Sequence, residues 1–237
     1  MANVITVEAN EVPSRLLGTG IETFDMDEFC GKDIIALGAA TMDKSLTART
    51  EIFYGVISQC IQDKEVVDHL TVNDVWYLVL LQWKQTNRSL IVRTQCMAPV
   101  YSVAGETNRL VYTAADVGAD DEVVSVDPCG GTASTQLTFD DIVIAYCDPE
   151  VYASRPEHVH LPYANQLDGE PYLEDKSTYL SLWIDDVAER SLPEISKACE
   201  WVQAMQHGVI TLHQVRCSTC GRIHSAQWAL SVESFTL

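Results

Sequence analysis

The segment "LTVNDVWYLVLLQW" (residues 70–83) sets the expected architecture. Either Thr71 or Asn73 can cap a helix here, and Asp74 falls in the first turn, where the helix dipole favours a carboxylate. The apolar positions cover most of the helix surface: Val75, Trp76, Leu78, Val79, Leu80, Leu81 and Trp83. Because a helix that is apolar nearly all round is buried on most sides, we expect this helix at the centre of the core.

A second helix precedes it in the expected helical region 43–86. Its apolar face is formed by Phe53, Val56, Ile57 and Cys60. These residues recur at intervals of three and four, which is the period of an α-helix. We therefore predict an antiparallel helical hairpin at the centre of the fold.

The rest of the chain divides into strands and a further helical region. Strands are expected mostly over 90–147, with a break at Pro99, and over 209–237. Helices are expected over 177–207, with a break near Ser191, Pro193 in the first turn of the second helix and Gly208 as a C′ cap. The fold class predicted is α+β: a central helical hairpin plus further C-terminal helices, packed with a mostly antiparallel β region.

Four segments are expected along the chain. Residues 1–89 form an N-terminal arm and the helical hairpin, and residues 90–148 form the β region. Residues 149–176 form a proline-rich loop over the surface. Residues 177–237 hold helices and a C-terminal CxxC β hairpin, which we expect to join the β region in one compact unit.

Composition excludes several classes of partner. The chain has 237 residues, with 34 acidic against 15 basic side chains and a net charge of -19. This charge repels nucleic acid and anionic lipid surfaces. The N-terminus lacks the features of a signal peptide, and no apolar stretch is long enough to span a bilayer. We expect folding in a reducing cytoplasm, where eight cysteines are thiols or metal ligands rather than disulfides.

Four cysteines lie in settings typical of metal ligands. Cys217 and Cys220 form a CxxCG turn between two expected strands, as in zinc-ribbon knuckles. Cys129 lies in the turn "DPCGG", and Cys96 lies between a strand and a proline turn. Together they predict a four-thiolate site for zinc or an iron–sulfur cluster. In the alternative interpretation, Cys96 and Cys129 are small buried apolar side chains.

The remaining cysteines predict no site. Cys60, Cys147 and Cys199 fall on apolar positions and are expected in the core, and Cys30 has no assignment. A thioredoxin-like role for the CxxC pair is disfavoured because such a pair opens a helix, whereas strands are expected here. The surrounding negative charge would also be expected to raise a thiol pKa.

Other chemistry is weakly indicated. His213 and His224 flank the CxxC pair, and either could replace a sulfur ligand. His158 and His160, with Glu157, offer another metal-ligand spacing but more often belong to a polar surface loop. The sequence has no GxSxG, P-loop, GxGxxG or HExxH motif, so we expect no enzyme, no catalytic residue and no other cofactor-binding residue.

Three motifs in order carry a resemblance: "VPS" (12–14), the helix 70–83 and the late "VRCSTCG" (215–221), followed by "WALSVESF" (228–235). This order resembles the small baseplate hub and hub-assembly proteins of T4-like contractile-tailed phages. The family's helix pattern is matched by six residues: Leu70, Thr71, Asp74, Tyr77, Leu78 and Leu81. Gln82 and Trp83 stand where the family has arginine. Cys96 lies where the family's first CxxC begins, and its partner is missing unless Cys129 supplies it.

The resemblance implies a viral structural or assembly protein. It would act in the host cytoplasm or within the virion tail baseplate, binding other baseplate proteins near the hub or its wedges, without catalysis or a small-molecule substrate. The acidic surface suits complementary partners. The loop 149–176, with Tyr152, Tyr163 and Tyr172, is either an interface or an ordinary surface loop.

Two alternative functions remain at this stage. One is a metal-binding or redox protein that uses the CxxC pair. The other is a zinc-ribbon adaptor that touches nucleic acid, although only Arg216 and Arg222 are basic near the CxxC turn.

Overall fold

The structure is a computed structural model in which residues 3–42, 46–86, 88–105, 109–166 and 183–228 are described. These residues form six α-helices and several antiparallel strand pairs, which confirms the α+β class. The chain divides into two compact units. The first comprises 1–88, 139–210 and 230–237, and the second comprises 89–138 and 211–229. None of the described helices is both long enough and apolar enough to cross a membrane.

The first unit begins with a strand pair and four helices. Strands β1 (Val4–Glu8) and β2 (Thr23–Asp27) are antiparallel. The helices that follow are α1 (Gly31–Met42), α2 (Leu46–Cys60), α3 (Lys64–His69) and α4 (Val72–Lys84). The helical region therefore begins at Gly31, earlier than the predicted 43, and the short α3 separates the two helices of the expected hairpin.

Helix α4 is buried as its sequence predicts. Thr71, rather than Asn73, is its N-cap: the Asp74 N–H donates to Thr71 Oγ1, and the Thr71 N–H donates to the Asp74 carboxylate. Trp83, at the last turn, is fully buried. Helix α2 packs against α4 through the rings of Phe53 and Trp76, whose centroids are 4.6 Å apart. This pair confirms the central helical hairpin.

The C-terminal part of the first unit surrounds a second apolar cluster. Its elements are β8 (Ile144–Ala145), α5 (Pro149–Ala153), α6 (Leu192–Ala204) and β9 (Gly208–Val209). Ser191 caps α6 and Pro193 lies in its first turn, as predicted. Buried side chains of these elements and of the loop between them form the cluster: Cys147, Val159, Leu161, Ile184, Ala198, Trp201 and Met205.

Two expectations for this region were wrong. Residues 183–190 form turns, including a 3₁₀ turn at Val187–Glu189, instead of the expected α-helix. Asp186 has a left-handed backbone (φ 52), which an α-helix does not accept. The start of the expected helix, residues 177–182, lies outside the described residues. The apolar stretch after Leu137 forms a 3₁₀ turn and the two-residue β8 rather than a long strand.

Gly208 is not the C′ cap of α6. The helix ends with Met205 as its C-cap, and Gly208 begins β9 with φ +120, which side chains of L-residues rarely allow. A Cβ at Gly208 would lie 2.7 Å from Cγ of Asn73. This glycine therefore permits a close approach to the first turn of α4.

The second unit is built from antiparallel strands. β3 (Leu90–Gln95) pairs with β7 (Thr132–Leu137), and β4 (Pro99–Val103) lies between β5 (Arg109–Val111) and β6 (Val123–Pro128). β10 (Leu212–Arg216) pairs with β11 (Ile223–Gln227). The predicted break in the first strand falls at residues 96–98, and Pro99 starts β4, a position that proline tolerates.

The strands of this unit alternate between buried and exposed side chains. Val92 and Ala133 are buried on the β3–β7 pair, and Val215 and Ala226 are buried on the β10–β11 pair. Strand β10 contacts both β7 and β3. The hairpin β10–β11, which comes from the far end of the chain, is thus part of the same β unit as residues 89–138.

Candidate metal centre

Four cysteines converge within the second unit. Cys96 follows β3, Cys129 follows β6, and Cys217 and Cys220 lie in the turn between β10 and β11. Their four Sγ atoms all lie within 4.8 Å of one another. The structure therefore brings together all four cysteines that the sequence predicts as ligands.

The CxxCG turn is closed by backbone hydrogen bonds. The Cys217 N–H donates to the carbonyl of Arg222 (2.8 Å), and the Gly221 N–H donates to the carbonyl of Cys217 (2.9 Å). This turn places Cys217 and Cys220 on one side of the hairpin end, as two ligands of one ion require.

A second pair of turns presents Cys96 and Cys129. The Cys96 N–H donates to the carbonyl of Gly131 (2.7 Å), and the Gly130 N–H donates to the carbonyl of Cys96 (3.0 Å). The Cys129 N–H donates to the carbonyl of Ala98 (2.8 Å). These bonds join two turns that are distant in sequence, so that together they supply the two thiols that a second CxxC would supply.

Gly131 is the position where the two halves of the site come closest. A Cβ there would lie 2.4 Å from Oγ1 of Thr219 and 3.0 Å from Sγ of Cys217. The Ser218 N–H also donates to the carbonyl of Thr132 (3.3 Å). The sequence shows Gly131 as a turn residue, but no sequence signal shows that the CxxC turn packs against it.

The spacing of the sulfurs suits one ion. The Sγ atoms of Cys96 and Cys220 are 3.5 Å apart, and those of Cys129 and Cys217 are 3.9 Å apart. A tetrahedral ion with metal–sulfur bonds of about 2.3 Å separates its sulfur ligands by about 3.8 Å. All four cysteines are free thiols. The four residues therefore could bind a metal ion with little rearrangement.

The CxxC turn stabilises a thiolate at Cys217. Hydrogen bonds from the N–H of Cys220, and from that of Thr219, lower the pKa of the Cys217 thiol to about 6 although burial opposes this. The general negative charge of the chain predicts instead that the pKa of this thiol is raised. Local amide donors prevail because they lie in contact with the sulfur.

Cys96 and Cys129 hold their protons more tightly than Cys217. Burial raises the pKa of Cys96 to about 12, against a lowering hydrogen bond from the Ala98 N–H. At Cys129, the Gly131 N–H lowers the pKa, but burial and the neighbouring thiol of Cys220 leave it raised. Metal binding to these thiols must therefore release protons.

The two basic residues beside the turn hold it in place. Arg216 Nη1 donates to the carbonyl of Gly221 (2.8 Å), and Arg222 donates to the carbonyl of Tyr112. Both guanidinium groups thus bind backbone carbonyls of the second unit.

No histidine joins the cluster. Among the residues that the structure describes, the four cysteines are the one group of three or more ligand-type side chains close enough to share an ion. His224 is partly buried, and its Nε2 has no hydrogen-bond partner within the described part of the chain. His160 lies 3.5 Å from the carboxylate of Asp185 instead of forming a site with His158 and Glu157.

The other cysteines mostly follow expectation. Cys60 and Cys147 are buried, as predicted for core residues. Cys199 is only half-buried, because its position on α6 lies at the border of the buried face, and Cys30 is exposed.

Sequence reasoning missed a buried polar network around Asp74. Its carboxylate is fully buried and accepts hydrogen bonds from the Ser14 N–H, the Thr71 N–H and the Thr71 hydroxyl, each 2.8 Å long. Thr71 Oγ1 also lies 3.0 Å from His207 Nε2. The sequence signal was the capping pattern alone, which does not show that Asp74 reaches the "VPS" segment.

Comparison with known proteins gives no relative: no protein-family model, no curated protein and no solved structure matches this chain.

Proposed function

We propose that this chain is a non-catalytic structural or assembly protein of a contractile phage tail baseplate, near the hub, with a structural zinc ion on its four turn cysteines. The observation that carries the metal assignment is the convergence of four Sγ atoms within 4.8 Å. The baseplate assignment rests on the resemblance in sequence, with its order of motifs.

The donor set favours a structural rather than a catalytic ion. Four protein thiolates fill a tetrahedral shell, whereas catalytic zinc has three protein ligands and an open position. An iron–sulfur cluster spreads its thiolates over separate irons, and these sulfurs are spaced for one ion. Zinc is the ion that a four-thiolate tetrahedral site holds most often.

The contacts within the first unit support the resemblance. Its motif segments "VPS" and "LTVND" lie far apart in sequence, yet the Ser14 N–H donates to Asp74 in the capping box of α4. Leu70 and Leu78 of the same motif are fully buried. The residues that carry the resemblance thus have a role in folding this chain.

The baseplate assignment is tested by fractionating the particles of an infection in which the chain carries an affinity tag. We expect it in baseplates or their assembly intermediates, together with other baseplate proteins. A chain found only as a free protein throughout assembly would overturn the assignment.

The metal assignment is tested separately with the double variant Cys217→Ser/Cys220→Ser. We expect loss of bound zinc and a lower melting temperature, because structural zinc contributes folding energy directly. The control is Cys30→Ser, which changes an exposed cysteine outside the site. Equal metal content and melting temperature in both variants would remove the structural ion from the proposal.

A redox protein is the second candidate, favoured by one observation, the lowered pKa of Cys217. Cys217 as a residue is 1% exposed, which limits access to a substrate. Alkylation of the metal-loaded protein at neutral pH separates the two functions: we expect slow reaction at Cys217, and fast labelling of this one cysteine would favour the redox function.

A further inference from the structure

Within the cluster, two sulfur pairs lie at hydrogen-bond distance, and each pair joins a half-buried cysteine to a buried one. Cys220 is half-buried and lies 3.5 Å, sulfur to sulfur, from the fully buried Cys96. Cys129 is half-buried and lies 3.9 Å from Cys217, which is 1% exposed. A cysteine that an oxidant can reach, next to one that it cannot, is the arrangement in which a first oxidation is resolved by disulfide formation.

We propose that these four cysteines also keep the hairpin β10–β11 attached to segment 89–138 under oxidation. When a hydroperoxide oxidises the thiolates and the metal is released, the disulfides Cys96–Cys220 and Cys129–Cys217 replace it. Both bonds would join segment 89–138 to segment 211–229, and the paired cysteines are 124 and 88 positions apart in sequence. The hairpin β10–β11 would therefore stay attached to its unit in both redox states. The inference rests on the four-cysteine centre and not on the baseplate assignment.

The chemistry is a pair of two-electron oxidations. The Cys220 thiolate attacks the near oxygen of hydrogen peroxide, which breaks the O–O bond and leaves a sulfenic acid and hydroxide. The Cys96 thiolate then attacks the Cys220 sulfur and expels the sulfenic oxygen as hydroxide, and solvent protons convert both hydroxides to water. Cys129 and Cys217 react likewise, so that two peroxides are reduced to four waters and the ion leaves with no thiolate to hold it.

The competing outcome is a local disulfide. If Cys217 bonded Cys220 within its own turn, Cys96 would be left to pair with Cys129, and the hairpin would lose its link to the segment 89–138. The structure favours the cross-segment pairs because these two have hydrogen-bond geometry between their sulfurs, at 3.5 and 3.9 Å, in a cluster whose sulfurs lie up to 4.8 Å apart. Oxidation would then preserve the β unit rather than open it.

The experiment treats the purified metal-loaded chain with hydrogen peroxide, follows metal release with a chromophoric chelator, and maps the products with trypsin without reduction. Trypsin leaves Cys217 and Cys220 together on peptide 217–222, with Cys96 on 94–109 and Cys129 on 110–176. We expect the three peptides to remain linked as one species. A free 217–222 peptide with an internal disulfide, or sulfinic acids without disulfides, would overturn the proposal.

Two double variants, compared as metal-free proteins, decide which cross-pairs form. Cys96→Ser/Cys220→Ser leaves Cys129 with Cys217, whose sulfurs are 3.9 Å apart. Cys96→Ser/Cys217→Ser leaves Cys129 with Cys220, which are both half-buried. We expect the first variant to form its disulfide at least several-fold faster, with circular dichroism used to verify that both are folded. Equal rates, or a faster second variant, would contradict the assigned pairing.

Discussion

Gly131 is the single residue on which the closure of the metal centre depends most. A side chain at this position would overlap Thr219 and press on Sγ of Cys217. The turn containing Cys129 and the CxxC turn can therefore approach each other only across a glycine. This is a steric requirement, and it is independent of which ion is bound.

We predict that Gly131→Ala weakens metal binding and lowers stability by about 1–3 kcal/mol, as expected for an overpacked contact. Chelator competition measures the affinity, and thermal unfolding measures the stability. Thr219→Gly, added to Gly131→Ala, removes the atoms at 2.4 and 2.8 Å and should recover part of the loss. No recovery, with Thr219→Gly alone as the control, would contradict the steric explanation.

Glu194 is the residue whose titration tests a local contact. The hydroxyl of Ser191, and also its N–H, donate to the Glu194 carboxylate and lower its pKa below the usual 4.5. A depressed folded-state pKa adds stability above the unfolded-state pKa, and this stability is lost as the pH falls through the folded value. We predict that carbon NMR titration gives a Glu194 pKa below 4.5 and that Ser191→Ala raises it. An unchanged value in the variant would show that the contact does not persist in solution.

At the level of elements, the same capping pattern occurs in two environments. The box at α4 joins Thr71 to the fully buried Asp74, which also accepts from Ser14. The box at α6 joins the exposed Ser191 and Glu194. Water can replace a lost hydrogen bond at α6 but not at α4, so the two helices should differ in sensitivity to the loss of their caps.

We predict that Asp74→Asn lowers the free energy of unfolding by about 2–3 kcal/mol, because the new NH₂ group faces a backbone or hydroxyl donor in a buried site. The matched control is Asp68→Asn, on the exposed face of the neighbouring α3. Urea denaturation measures both variants. Equal, small losses would show that the Asp74 network does not hold the "VPS" segment in place.

The elements show which parts of the fold can be predicted from sequence. Helix α4 and the start of α6 were predicted because their caps and periodicity are local signals. Residues 183–190 were not, since Asp186 adopts a left-handed backbone that no pattern indicates. The prediction of strand up to residue 147 was wrong after Leu137, because an apolar run does not distinguish a strand from buried turns.

At the candidate metal centre, too, local signals were readable from the sequence but contacts between distant segments were not. Local turn residues around Cys129 and the CxxC pair correctly indicated cysteines that the fold brings close together. The contact of the Gly131 backbone with the CxxC turn, and the reach of Ser14 to Asp74, connect distant segments. These contacts depend on packing that only the folded chain defines.

For the whole molecule, the second unit is assembled from two segments that flank residues 139–210 in sequence. The four cysteines divide evenly between these segments, so that an ion bound to them closes a long loop of chain. Because the ion binds only where all four thiols converge, and two of them belong to the hairpin β10–β11, it should stabilise this hairpin more than the helices.

We predict that removal of the ion with a strong chelator loosens the second unit first. Hydrogen exchange should accelerate most at the amides of β10, β11 and β3, while α4 and α6 keep their protection. Restored zinc should reverse the change. Uniform acceleration through both units, or none in β10 and β11, would contradict a structural role confined to the second unit.

The most direct test of the central claim is the metal content of the chain purified under reducing conditions without added metal, measured by mass spectrometry together with a thiol titration. We predict one zinc ion per chain, with Cys129 and Cys220 reactive only after chelation, and the buried Cys96 and Cys217 reactive only after chelation and denaturation. Two results would contradict the claim. One is a chain without bound metal in which all four cysteines react freely: Cys96, Cys129, Cys217 and Cys220. The other is a chain that contains iron and inorganic sulfide.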